Sequence, residues 1–262
     1  MKKFKNKTLV GLLVIALGSC FSSCLDDNEP LAIFPTLGTI SSTSPITIES
    51  DSYGAIVPKN PSLVTSQQAD SVGQRVLTNL YFDSDAEPQK GGSLSASILD
   101  IYKILTKPAE DLRNDDAPLA DSFGNSPIQP TSLSLSKEHL NIQFNILGGN
   151  VVIPHRISLL LQPGTQLDVD GMMPVELRHD ANGDSQTTFY WGIVSFTLNS
   201  IPEFSDPACK GIKVYYNSGA NLKASMSVRK KTAKSDELTF RRMMETSQEV
   251  SHNHTLLTSE LQ

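Results

Sequence analysis

The 262-residue chain is 39% hydrophobic, 19% charged and 6% aromatic, apolar enough for one large or two small domains and too apolar for a disordered chain. Its formal charge of −6 argues against a nucleic-acid partner, because phosphate contacts need a surplus of Lys and Arg. Three cysteines cannot build a disulfide scaffold, and 16 Gly with 15 Pro fit neither a collagen-like nor a low-complexity class.

The chain opens with a basic segment, Met1 to Lys7, followed by an apolar run from Leu9 to Leu17 and then small residues ending at Cys20 and Cys24. That is the pattern of a secretory signal peptide. A membrane span needs about 20 apolar residues, and this run meets Gly18, Ser19 and Cys20 too soon. Leu17-Gly18-Ser19-Cys20 fits a lipobox, in which an apolar residue and two small ones precede a Cys that is acylated. Phe21-Ser22-Ser23-Cys24 fits it more loosely, but Cys24 is followed at once by Leu25, Asp26, Asp27, Asn28 and Glu29. This acidic cluster resembles the lipoprotein export signal of Bacteroidota-type bacteria, which sends lipoproteins to the outer leaflet of the outer membrane. Cys24 is therefore expected as the lipidated residue, with Cys20 the alternative and Asp26, Asp27 and Glu29 as the export signal. Cleavage before Cys24 removes four lysines and no acid, taking the net charge from −6 to −10. An acidic body is repelled by anionic headgroups, so the acyl chains, at about 0.8 kcal/mol per buried methylene, must do the anchoring.

From Leu31 the texture becomes short apolar runs punctuated by Pro, Gly, Ser and Asp. These are Ile33-Phe34 through Ile40, Ile46 to Ile48, Tyr53 to Val57, Arg75 to Phe82, and Leu94 to Leu105. Such punctuation predicts strands, and about five of them suit a small closed barrel. Thr106 to Pro130 holds four prolines and several aspartates. Proline withdraws a backbone donor, so this segment is predicted to be a connector with little strand or helix.

The second half alternates more cleanly. Leu140, Ile142, Phe144 and Ile146 share one face, a period of two, and Leu147 to Val151 is predicted as a hairpin turn. Val151 to Gln162, with Ile157, Leu159 and Leu161 on one side, then Val175 to His179, Thr187 to Leu198, Ile212 to Tyr216 and Leu222 to Val228 follow as strands, which together argue for an antiparallel sandwich. The remainder, 229–262, is predicted to be disordered or a marginal helix, too short to be stable alone.

Several stretches together resemble NigD-like lipoproteins: SCLDDN at the lipid site, RVLTNLYF and ILDIYKILTKP in the first half, DSFGNSPI in the connector, then HLNIQFNILGGN, MPVELRHDANGD and GIVSFTLNSI. They span roughly residues 20–228. The resemblance implies an all-β chain with an N-terminal OB-type barrel and a C-terminal β-sandwich. The expected organisation is a signal peptide at 1–23, an acidic tether at 24–31, the barrel at 32–105, a connector at 106–130, the sandwich at 131–228 and a tail at 229–262. It also implies a cell-envelope lipoprotein, with bacteriocin immunity as one role, and it brings no catalytic residues. The tail departs from the resemblance.

The best-looking chemical cluster is Asp180, Asn182 and Asp184, which alternate as oxygen donors do in calcium loops. An EF-hand loop would also need a later Glu, and Asn182-Gly183 is a strong hairpin signal, so a turn is preferred to a metal site. Asp111, Asp115, Asp116 and Asp121 are read as a solvated acidic run. His139, His155 and His179 show no metal-ligand spacing, and His252 and His254 fall in the tail. No Gly-x-Ser-x-Gly elbow, dinucleotide fingerprint or Walker loop occurs, and Cys209 is expected to be inert. Between Leu31 and Leu105 the chain carries four bases against seven acids, which again disfavours nucleic acid on an OB face. Trp191 is expected in the core.

The sequence thus predicts a non-enzymatic, lipid-anchored protein of the cell envelope. It needs no cofactor or metal, binds the membrane through its acyl chains, and meets a protein or peptide partner at the cell surface. The alternative is a surface module that binds a glycan or small molecule on the barrel face.

Overall fold

The first five strands follow the apolar alternation: β1 (Phe34–Thr43), β2 (Ile46–Ser50), β3 (Gly54–Pro58), β4 (Arg75–Tyr81) and β5 (Leu94–Pro108). A six-residue helix, α1 (Pro61–Ser66), lies between β3 and β4 and starts on a proline, which tolerates the first helical turn because its missing N–H has no partner there. In the computed structural model, residues 33–82, 92–149, 153–220, 222–231 and 256–257 are described, and all lie in one compact unit spanning Ala32–Gln262. The signal peptide, lipid site and tether expected over 1–31, and most of the tail, lie outside the described residues.

Strands β1–β2, β2–β3, β1–β4 and β4–β5 pair antiparallel. Strand β3 meets β5 in parallel through Ile56↔Leu94, Val57↔Ser95 and Pro58↔Ala96. The order therefore runs β1-β2-β3-β5-β4 and returns to β1, the partly open five-stranded ring of an OB-type barrel. Ile40, Ile48, Ile56, Val76 and Leu80 fill it, each buried aliphatic side chain contributing about 1.5–3 kcal/mol.

Strand β5 is longer than its barrel. Its last four residues, Leu105–Pro108, pair in parallel with Val194–Thr197, so one strand belongs to both halves and carries the first sheet without interruption into the second. The strand runs three residues past the Leu105 boundary expected from the sequence. Pro108 is its last residue, where an absent N–H costs the ladder little.

The proline-rich segment is irregular but packed. Its two-residue strand β6 (Glu110–Asp111) pairs with a sandwich strand, and Leu112 and Phe123 bury against Leu160. The Leu112 amide donates to the Leu161 carbonyl at 2.9 Å, and the Ile128 amide to the Asn217 carbonyl at 2.9 Å. The chain here laces down the outside of the sandwich.

The sandwich contains β7 (Gln129–Leu135), β8 (His139–Gly148), β9 (Arg156–Leu161), β10 (Met172–Asp180), β11 (Thr188–Thr197), β12 (Gly211–Asn217) and β13 (Lys223–Arg229). One sheet has the order β3-β2-β1-β4-β5-β11-β8-β7 and the other β13-β12-β10-β9-β6. Phe144, Phe196, Ile142, Val194, Leu159 and Val214 fill the space between them. Pairing is mostly antiparallel, as expected, but β10–β12, β6–β9 and β5–β11 are parallel.

Both hairpins predicted in this half are corrected. Strand β8 pairs with β7 and β11, while β9 pairs with β10 and β6, so the chain crosses from one sheet to the other after Gly148. It crosses back at Asn182-Gly183, between β10 and β11. The turn itself forms as its residues dictate: Asn182 and Gly183 have φ of 50° and 78°, and the Asp184 amide donates to the Ala181 carbonyl at 2.9 Å, the geometry of a type I′ turn. The local conformation was specified; the partner was not. Finally, Leu256–Leu257 form a short strand, β14, in parallel register with Trp191 and Gly192.

Candidate functional site

Cys20, Cys24, Asp26, Asp27 and Glu29 lie outside the described residues. Two buried polar clusters stand out among the described residues, each at a seam of the fold.

The first cluster lies where the two sheet crossovers meet. His179, on β10, donates from Nδ1 to the Pro127 carbonyl at 2.9 Å. Its Nε2 lies 2.8 Å from His155 Nδ1, and His155 Nε2 lies 3.1 Å from Asp184 Oδ2. The same carboxylate oxygen accepts from the Gly149 amide at 2.7 Å, and Oδ1 accepts from the Ser185 amide at 2.8 Å. The two rings stack with centroids 5.0 Å apart. A line of hydrogen bonds thus runs from the connector through β10 and the start of β9 to the end of β8.

These partners fix the protons. With Nδ1 committed to the Pro127 carbonyl, a neutral His179 ring accepts at Nε2 from His155 Nδ1. Burial pushes the His179 ring down to about 4, reinforced by the neighbouring His155, while its bond to Pro127 and the charge of Asp180 act in the other direction. With His155 at 4% and His179 at 1% exposure, the arrangement is a staple between crossovers rather than an open reaction centre.

Asp180, Asn182 and Asp184 do not converge. Asp180 Oδ2 pairs with Arg156 at 3.0 Å and its Oδ1 accepts from the Asn182 amide at 2.9 Å. The Asn182 side chain donates to the Pro154 carbonyl, and Asp184 faces His155. Among the described residues no group of three His, Cys, Asp or Glu side chains is placed to hold a metal.

The second cluster lies between barrel and sandwich and carried little local signal in the sequence. Arg75, on β4, is 1% exposed. Its Nη1 and Nη2 grip Asp51 at 2.8 and 2.6 Å, a bidentate pair. Nη1 also donates to Thr39 at 3.1 Å, Nη2 to Asn141 at 2.8 Å, and Nε reaches Ser195 at 3.5 Å. Asn141 in turn donates to Asp51 at 3.0 Å and Ser134 at 3.2 Å, and accepts from Ser195 at 2.8 Å. Thr39, Asp51 and Arg75 come from the barrel; Ser134, Asn141 and Ser195 come from three adjacent sandwich strands. In RVLTNLYF the alternation that sends Val76, Thr78 and Leu80 inward places Arg75 on the barrel's outer face. That face is buried because the sandwich abuts it.

Beside this cluster an open cleft of about 430 Å³ is lined by Ser71–Arg75 and Lys103–Thr106. Arg75 has its donors committed elsewhere, so Lys103 is the cation the cleft can offer, beside the neutral polar side chains of Ser71, Gln74 and Thr106. Of the acidic connector residues, Asp111 is held by Arg113 at 2.6 Å, and the same guanidinium reaches Glu203. This contact keeps the Asp111 carboxyl below the usual carboxylate range, its hydrogen bond to Arg113 being the main cause. Cys209 is buried in the sandwich core and its thiol lies 3.4 Å from the Gly211 carbonyl. Trp191 is half-buried rather than part of the core expected for it, because on β11 it alternates with Tyr190, which packs against the sandwich interior.

The sequence signature described as the NigD-like C-terminal beta sandwich domain matches residues 110–230, taking in nearly all of the connector along with the sandwich. Among solved structures, a protein of unknown function from Bacteroides vulgatus is 22% identical with a TM-score of 0.60, covering 78% of this chain and 93% of its own. A NigD-like immunity protein from Bacteroides caccae is 17% identical with a TM-score of 0.52, covering 77% and 98%. A protein provisionally described as a lipoprotein, from Bacteroides fragilis, is 12% identical with a TM-score of 0.55, covering 77% and 99%. At these identities the likeness is one of fold. No curated protein matches the chain.

Proposed function

Because this chain belongs to the NigD-like family, by the β-sandwich domain at residues 110–230, we propose that it is a lipid-anchored protein of the cell envelope that acts by protein contact and not by catalysis. The observation that carries the reading is mechanical. Strand β5 runs through both halves and the Arg75 cluster locks them, so the body offers one fixed surface in place of a cleft that closes on substrate. The anchor is Cys24, with Asp26, Asp27 and Glu29 as the signal that sends it to the cell surface. Bacteriocin immunity is the specific form proposed, supported by the Bacteroides caccae immunity protein that shares the fold.

Two measurements test it. Cys24→Ala should release the protein from the membrane fraction or stall it as an uncut precursor; normal membrane fractionation of that variant overturns the anchor. Deleting the gene should sensitise the cell to a peptide toxin from a neighbouring strain, and restoring the lipid-anchored form should protect it. Unchanged sensitivity, together with saturable saccharide binding by residues 25–262, would instead favour a glycan-binding module using the cleft at Lys103.

A further inference from the structure

Residues 210–231 carry six Lys and Arg and no Asp or Glu, in a chain whose formal charge is −6. They fold into the hairpin β12–β13, and β13 is the edge strand of its sheet. Alternation sends Ile212, Val214 and Tyr216 of β12, and Ala224, Met226 and Val228 of β13, toward the sandwich core. Lys213, Tyr215, Lys223, Ser225, Ser227 and Arg229 therefore share the outer face. The register sets Tyr215 opposite Ser225, Lys213 opposite Ser227, and Arg229 opposite Gly211. Lys223 Nζ lies 4.7 Å and Lys213 Nζ 5.3 Å from the centre of the Tyr215 ring, so cation–π contact holds both ammonium groups against one aromatic side chain. Among the described residues no ion pair engages Lys213, Lys223 or Arg229. Glu176, which β10 places opposite Tyr215, lies 2.9 Å from Arg178 and accepts from Gln162 at 2.7 Å.

We propose that this outer face of β12–β13 is the docking surface for an acidic polypeptide segment. The proposal deepens the reading of the protein as one that acts by protein contact, and rests on it. Two ammonium groups held against one ring repel each other, and a carboxylate set between them removes that cost while accepting charge-assisted hydrogen bonds. From Lys223 to Arg229 the strand advances about 20 Å at about 3.3 Å per residue, room for an extended segment of about six residues. A single small anion would meet only one end of it. Ser225 and Ser227 stand between the cations as hydroxyl donors. Charged side chains on an edge strand deter backbone pairing, so the segment crosses the face instead of lengthening the sheet. Position favours a partner from outside over the anchoring membrane. Strand β13 lies beside β7, which ends the first sheet on the side away from the barrel, whereas β1, the strand that follows the expected tether, belongs to the barrel.

The test uses the chain from residue 25 to 262 and a short synthetic peptide of alternating Glu and Ser, with inorganic phosphate and phosphatidylglycerol vesicles as competing probes. Amide NMR should show saturable shifts confined to residues 211–217 and 223–229, with binding weakened several-fold as salt rises from about 0.05 to about 0.5 M. Lys213→Gln with Lys223→Gln should weaken binding about tenfold or more. Ser62→Glu with Thr65→Glu makes the same change of two charges on α1, where both side chains are exposed, and should leave binding within about twofold of the unaltered chain. An unchanged thermal transition verifies that both variants fold. Arg229→Gln, at an exposed position, should by itself weaken binding about threefold. Absence of shifts on the β12–β13 face, an equal loss in the two double variants, displacement of the peptide by phosphate at equal concentration, or preferential binding to the vesicles each overturns the proposal, the last in favour of a membrane surface. These failures leave the anchor and the immunity reading standing, because those are read by fractionation of Cys24→Ala and by toxin sensitivity. Saturable peptide binding without toxin protection would keep the docking surface and remove immunity.

Discussion

The Arg75 cluster and the His155–His179–Asp184 cluster both close a seam with buried, hydrogen-bonded polar groups, but they use opposite chemistry. At the barrel–sandwich seam the cation is a guanidinium, which stays charged at every pH the protein meets and uses its whole fork of donors. At the sandwich crossovers the holding groups are two imidazoles and a carboxylate, and the His179 ring, pushed down to about 4 by burial, takes up its proton in acid. The difference teaches that the junction between the two bodies is permanent, whereas the end of the sandwich where the chain changes sheets is held conditionally.

The strongest way to break that contrast is Arg75→Met. It leaves Asp51 without its bidentate partner and Asn141 without its donor, and losing one member of a buried pair costs about 3–5 kcal/mol. Denaturant unfolding should show that loss, with the barrel and sandwich no longer melting together; a loss under about 1 kcal/mol would mean that the seam is held by β5 alone. Asp51→Asn should be milder, since it removes the charge while retaining an oxygen for the guanidinium.

The second effect is on pH. The folded His179 ring titrates near 4, below its ordinary 6.5, so as pH falls the unfolded chain takes up the proton first. Stability is therefore complete above about 6.5, declines between about 6.5 and 4, and levels off below, by up to about 3 kcal/mol. Burial also lowers the His139 ring, which adds to the decline with the same sign. Melting temperature against pH measures it, and His179→Gln should flatten most of the slope.

A smaller change separates the staple from its neighbours. Asp184→Asn keeps the shape but removes the carboxylate that faces His155 Nε2 at 3.1 Å, at a cost of about 1–3 kcal/mol for an imperfectly paired buried group. Its signature is increased amide exchange at Gly149 and Ser185. The least effect is expected from Arg113→Ala, which severs the clamp on Asp111 and Glu203. All three side chains are partly exposed, so the loss should be at most about 1 kcal/mol, confined to the connector.

Much of the fold was legible before any of this. The apolar alternation in Leu140–Ile146 and the runs around Ile40, Ile48 and Ile56 located strands whose buried faces are the ones the pattern marks. The candidate sites were not legible in the same way. Asp180, Asn182 and Asp184 looked like a shared oxygen cage because they alternate, yet each turns to a different protein partner. His155 and His179 lie 24 residues apart with no ligand-like spacing, and come together because β9 and β10 pair with His179 opposite Ile157. Arg75 and Ser195 are separated by 120 residues, and the only local hint was a cation at the head of an otherwise apolar strand.

The amino-acid sequence by itself determined most of the strands, though not β6, β7 or β14, and the type I′ turn at Asn182-Gly183, because backbone torsion and side-chain alternation are set by residues a few positions apart. Which strand lies beside which was decided only in three dimensions. A turn of given chemistry can return to the same sheet or cross to the other, and that choice depends on burying both apolar faces at once. The continuous β5, the two crossovers and the polar clusters that secure them follow from that global packing.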